Sequence, residues 1–429
     1  MRIPTHTAPV PRLGQRYAFV VVGVIFFCLL FSAGLRSTPS VLLDPLRQAF
    51  GWSRSVISLA AAIGIFFYGM VGPFAATAMD HFGLRRVVLV SLVAMAVSSA
   101  ASAYMTQTWH LIALWGLFSG IASGAVATVL GATIANRWFV RHRGLAMGIL
   151  TASTATGNLI FLPVLAALAS SSDWRRAVWA VAIAMLVMVP LVWKLVPNRP
   201  ADVNLLPYGS DPANPPAPAA PRIGFMATTF GALKRASRTT AFWYLFATFW
   251  VCGFTTNGLV GTHLIALCGD HGIAPVAAAG LLSLMGVFDL IGTTASGWLT
   301  DRYDPRRLLF VYYGLRGVSL IILPYTNFSF YSLSIFAVFY GLDWIATVPP
   351  TLRLATDAFG ERDAPIVFGW IVAGHQIGAA TAAWMGGAIR QATGSYLMAF
   401  VVSGATGIIA AVIALMVKRQ RATVEPVAA

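Results

Sequence analysis

Charge is what this chain has least of. Only 10% of its 429 residues are Asp, Glu, Lys or Arg, where a water-soluble domain carries about 25%. Acidic groups are the scarcest, 14 against 29 basic ones, while 58% of residues are hydrophobic and the mean hydropathy is +0.76. So little polar surface cannot face water, which excludes a soluble globular protein and leaves an integral membrane protein. Cysteine is nearly absent as well. Cys28, Cys252 and Cys268 form no C-x-x-C pair, so neither a disulfide framework nor a zinc site is indicated. The chain also lacks metal-ligand spacing, a glycine-rich phosphate loop and a nucleophile motif, so no enzyme and no cofactor are expected. No cleavage pattern follows a short apolar region near the start, and 1–16 reads as a cytoplasmic tail before a retained span.

What is present is apolar length. A helix crosses a bilayer with roughly 20 apolar residues, and stretches of that kind occur at 17–39, 56–79, 87–105, 111–135, 145–169 and 174–196. Six more occur at 242–267, 275–300, 308–324, 331–350, 365–389 and 396–417. The expected fold is all-α and integral to the membrane, with twelve transmembrane helices in two six-helix halves, 17–196 and 241–417. Between them, 197–240 holds a proline-rich run that predicts an extended linker. Its last part, 231–238, is expected to be a short basic helix on the membrane surface. A tail, 418–429, closes the chain.

The net charge of +15 is explained by topology rather than by nucleic acid. With the N-terminus inside, only Arg47, Arg54, Arg175, Arg176 and Arg390 of the basic residues fall in outside loops. Arg36 and Arg316 fall within spans, and all the others lie inside, which predicts cytoplasmic termini.

An internal repeat relates the halves. Asp80-His-Phe-Gly-Leu-Arg85-Arg86 follows the second span, and Asp301-Arg302-Tyr-Asp-Pro-Arg306-Arg307 follows the eighth. Parallel halves of this kind place a substrate site at their interface near mid-membrane.

Ionisable groups within spans are functional candidates by default. At 1.5 Å per residue, Asp289 and His375 lie roughly 18 Å deep, Arg316 roughly 14 Å and Asp343 roughly 15 Å, so four groups share one level. Arg316 and Asp343, on sequential antiparallel spans, are expected to form a structural ion pair. Asp289 either joins that pair as scaffold or faces a cavity as a proton carrier. His375 is either a packed neutral ring or a cavity residue. Arg36 either grips a carboxylate through two hydrogen bonds or snorkels to the outer interface. Tyr68, Asn158, Asn257 and His263 are softer candidates, and Asn257 is placed to face Arg36 by the repeat. Gly120/Gly124 and Gly144/Gly148 are spaced for close helix packing.

The two loop motifs resemble those of the major facilitator superfamily. The pattern G-x-x-x-D-R-x-G-R-R/K is matched by Gly297 to Arg307, with Asp304 at the usual glycine. The first copy is looser, with Ala76 and His81 at the leading glycine and the first arginine. This resemblance implies that Asp80, Arg85, Arg86, Gly297, Asp301, Arg302, Arg306 and Arg307 serve as gating elements.

Trp138-Phe139-Val-Arg141-His142-Arg143-Gly-Leu145-Ala146-Met-Gly148, entering span five, resembles the monocarboxylate transporter family. So does Arg199-Pro-Ala-Asp202 with the Leu206-Pro207 that follows, shared with bacterial members and oxalate/formate exchangers. The resemblance implies a proton-coupling aspartate at Asp289. The arginine normally four residues later is Thr293, and a lysine near the outer end of span one has its nearest substitute in Arg36. The function implied is a monomeric secondary transporter in a bacterial inner membrane, moving a small monocarboxylate with a proton. Arg36, Asn257, Tyr68, Asn158 and His375 would contact the substrate. An oxalate/formate-type exchanger and a drug or metabolite exporter are the alternatives.

Overall fold

In the computed structural model the described residues are 16–417 apart from 53, 171–172 and 212–223. They are helical nearly throughout, and the β contact recorded among them is an isolated bridge between Phe139 and Tyr208. The tails and the proline-rich centre of the linker lie outside the described residues.

Among the described residues, nine helical stretches are long and apolar enough to cross a membrane. One of them, Phe330–Thr393, is broken at Gly360, whose φ of 76° only glycine adopts without strain, and therefore holds two spans. Arg54–Met70, continued by Gly72–Ala78, and Arg143–Ser170 complete the expected set of twelve.

Span one, Tyr17–Pro39, lies in a helix that continues past it. Its helix, Tyr17–Phe50, runs through Pro39 and Pro45 and stops at Gly51, which takes a left-handed conformation and donates its N–H to Arg47 O. Span ten is not one stretch reaching Pro350. Its helix Phe330–Asp343 stops, 344–347 form a turn, and a new helix starts at Val348. Pro349 and Pro350 lie in that first turn, where a missing N–H costs nothing because it would have no helical partner.

Small residues let the halves meet. A methyl group added at Gly148 of span five would sit 2.8 Å from the carbonyl of Thr293 in span eight, Pro275–Thr300. One added at Gly297 would sit 2.4 Å from the Gly144 carbonyl, so only glycine permits this approach. One apolar core lies wholly within 18–196 and another within 254–400. A third joins both halves, with Ala76, Val129 and Met147 against Phe242, Leu352 and Phe368.

The described parts of the linker, 197–211 and 224–240, are docked on the helices. Pro200–Val203 forms a short helical turn in which Asp202 accepts the Arg199 N–H. Tyr208 donates its N–H to Trp138 O at 2.7 Å, which pins the linker to the loop before span five. The helix expected at 231–238 spans Phe225–Ala236 and is docked on protein rather than simply lying on a surface. Its Thr229 hydroxyl donates to Thr77 Oγ1 of the first half at 2.7 Å, and its Arg235 pairs with Asp363 of the second half at 2.6 Å. Phe225 and Phe230 stack around Phe74, and Phe230 also meets Trp370.

Candidate functional site

The turn that interrupts span ten exposes backbone polar groups at membrane depth, where each must find an internal partner. They find side chains from spans eight and nine. Arg316 of span nine (Pro305–Ile322) donates through Nη2 to Asp343 O, and to Trp344 O at 3.2 Å. Asp289 of span eight accepts the Ile345 N–H at 3.0 Å. About two helical turns further along the same span, Ser296 donates to Ala346 O at 2.5 Å. A cation caps the carbonyl end of the first half-helix and a carboxylate meets the amide side, in keeping with the polarity of helix ends.

The same groups settle which charges meet. Arg316 Nε donates to Asp343 Oδ2 at 2.7 Å, and both residues are buried. Asp289, 1% exposed, is held instead by Thr293 and the Ile345 amide, the Thr293 hydroxyl donating to Oδ1 at 2.6 Å. Thr293, at the position where the resemblance leads one to expect an arginine, makes an i,i+4 hydrogen bond to the same carboxylate. Arg316 Nη1 also donates to Cys252 Sγ at 3.2 Å. Cys252 lies 3.3 Å from Thr347 Oγ1, and the ring centre of His375 is 5.2 Å from that of Phe249. Asp289, Arg316 and Asp343 therefore meet around one turn in the second half, while His375 packs its ring against Phe249.

Arg36 is elsewhere, in the first half. Its guanidinium lies 4.5 Å from the centre of the Tyr68 ring and donates to Ser32 Oγ at 3.2 Å. Both residues are half-buried, and Arg36 has no acidic partner among the described residues. Asn257 is exposed within Phe254–Val260, a widened helical turn of span seven, and no hydrogen bond among the described residues joins it to Arg36. The side chain of Asn158 lies outside the described residues. His263 bonds the Ala383 carbonyl at 2.9 Å and is buried.

The loop motifs hold one end of the molecule together. Asp301 accepts the N–H groups of Gly144 and Leu145 at 2.8 and 2.9 Å, capping the N-terminus of span five with a carboxylate. Arg143 pairs with Glu361 at 2.6 Å across the halves. Asp80 pairs with Arg137 within the first half. Asp304, the departure from the usual glycine, caps span nine and pairs with Arg306 at 2.6 Å. Arg302 stacks over Trp298, Arg85 donates its N–H to Asn198 Oδ1, and Arg86 and Arg307 are exposed. At the opposite end Arg390 binds Asp270 through two hydrogen bonds.

Sequence reasoning missed Cys252, Ser296, Thr347 and the Ile345 amide. The one available signal was Thr347-Val-Pro-Pro, which is a helix start rather than a helix end.

The family model of the Major Facilitator Superfamily matches residues 25–352 and 270–428. The chain belongs to that superfamily. It is a multi-pass membrane transporter of a small solute, and not an enzyme. Among curated proteins it is 24% identical to the uncharacterized MFS-type transporter YcxA of Bacillus subtilis, over 87% of this chain and 90% of that one. It is 27% identical to monocarboxylate transporter 13 of Rattus norvegicus, over 91% and 86%. The major facilitator fold is also seen in the proton:xylose symporter XylE, with a TM-score of 0.72 at 14% identity, covering 95% of this chain and 97% of that one.

Proposed function

We propose that this superfamily member moves a small monocarboxylate together with one proton, acting as a monomer in a bacterial inner membrane with both termini cytoplasmic. The observation that carries the reading is Arg36. A guanidinium stacked on Tyr68 and free of acidic partners among the described residues is an anchor for an anion, and fork-shaped donors suit a carboxylate. Similarity to a named monocarboxylate transporter supports the same class of substrate.

Asp289 is the proton carrier in this proposal. Its carboxyl is engaged by a hydroxyl and an amide, two neutral donors, while the nearby cation binds Asp343. A carboxylate without a direct cationic partner at membrane depth is the group best suited to take up a proton. One proton moved with one monoanion is electroneutral, so pH and not voltage drives accumulation. The halves rock about the site, and the motif loops hold the cytoplasmic end shut in the conformation described.

Proteoliposomes given a panel of labelled monocarboxylates test the reading. Uptake driven by an inward proton gradient alone is expected for at least one acid. No uptake across the panel would overturn it, and uptake only with counter-substrate inside would replace it with an exchanger.

A further inference from the structure

The repeat that relates the halves supplies an internal comparison at their two motif loops. The loop after span two lines a cavity of about 420 Å³, and the loop after span eight lines one of about 170 Å³. They differ in sign as well as size. The smaller holds Arg302 and Arg353 against Asp301, Asp304 and Asp357, and its cations are committed. Arg353 binds Asp357 at 3.0 Å and Arg302 stacks on Trp298. The larger holds Arg85, Arg86, Arg137 and Arg199 against only Asp80 and Asp202. Asp80 is engaged by Arg137, and Asp202 accepts the backbone N–H of Arg199 at 3.1 Å. Arg86 and Arg199 have no acidic side-chain partner among the described residues.

The larger cavity is a built feature. Asn198 Oδ1 accepts the Arg85 N–H at 2.9 Å, and the Asn198 carbonyl accepts from Arg137 at 3.3 Å. Gly83, with φ at 89°, leaves room for that Asn198 side chain, which an added methyl would meet at 2.8 Å. The wall is therefore fixed by three elements: the motif loop, the end of span four and the exit of span six. Beside it, Phe82 and Trp193 are 60% and 64% exposed, and Arg85 donates to the Trp193 carbonyl. Exposed aromatic rings flanking guanidinium groups belong at the headgroup level of a bilayer.

We propose that this cavity binds a phosphate group on the cytoplasmic face, carried by the headgroup of an anionic membrane lipid. Guanidinium forks suit phosphate oxygens, and the surplus of cations over carboxylates selects an anion. The inference uses the orientation proposed above but not the identity of the transported solute, so failure of either leaves the other standing.

Native mass spectrometry of the full-length protein tests it, with phosphatidylglycerol or phosphatidylcholine supplied. The pocket variant is Arg86→Gln with Arg199→Gln, both exposed side chains. The charge-matched control is Lys234→Gln with Arg238→Gln on the docked helix and just beyond it. Phosphatidylglycerol retention should fall about fivefold or more in the pocket variant and hold in the control. Displacement of the lipid by inorganic phosphate would keep the site and make free phosphate its source. Equal retention of the two lipids, equal loss in both variants, or no loss in the pocket variant would each overturn the proposal.

Discussion

At the scale of single residues, the cluster around span ten separates two acids that sequence depth alone could not. Asp343 has its cation and Asp289 does not, although both sit beside Arg316. Asp289→Asn keeps an oxygen acceptor for Thr293 and the Ile345 amide but cannot carry a proton. It is predicted to abolish uptake driven by a pH gradient while leaving solute exchange between loaded vesicles intact. Arg316→Met should be far more damaging to folding, because it strands Asp343 as a buried charge, a loss of about 3–5 kcal/mol. The double variant with Asp343→Leu should regain part of that stability. It should not regain all of it, since the Asp343 and Trp344 carbonyls still lose their donor. Thermal unfolding of the purified variants in detergent measures the order.

At the scale of elements, the turn in span ten and the docked linker helix carry the predictions. Ser296→Ala leaves the Ala346 carbonyl buried without its side-chain donor, a loss of about 1–3 kcal/mol, read as a lower unfolding temperature. The helix Phe225–Ala236 touches both halves, so they cannot part at that end while it stays docked. A Thr77→Cys, Thr229→Cys pair should form a disulfide that stops transport and releases it on reduction, since the native hydroxyls are 2.7 Å apart. Transport that continues with the pair oxidised would show that this end need not open there. These elements also mark where the sequence was legible. The spans and the motif loops follow from apolar length and from the Asp-and-Arg repeat, both of which are local patterns. The turn at 344–347 does not, because Trp-Ile-Ala-Thr is apolar enough to continue a helix and the break is stabilised by residues of two other spans. The docked helix was half legible, since its basic end is visible in sequence while its contacts with Thr77 and Asp363 are tertiary.

At the scale of the whole molecule, the halves are joined at the motif end by Asp301 on span five, by Arg143 with Glu361, and by Gly144 against Gly297. The Arg143–Glu361 pair is half in solvent, so its removal should cost about 1 kcal/mol or less. Asp301→Ala removes two N-terminal hydrogen bonds at once. It should shift the population toward a form open at that end, seen as faster labelling of cysteines placed along spans five and eight. In the proposed mechanism, proton coupling depends on this rocking carrying Asp289 and Arg36, in different halves, past one solute. It is tested most directly by a pH-sensitive dye trapped in the lumen of proteoliposomes held at zero voltage. Addition of a transported monocarboxylate outside should acidify the lumen in step with uptake, and Asp289→Asn should abolish the acidification. Uptake without a change in lumenal pH, or an unchanged signal in Asp289→Asn, would contradict the account.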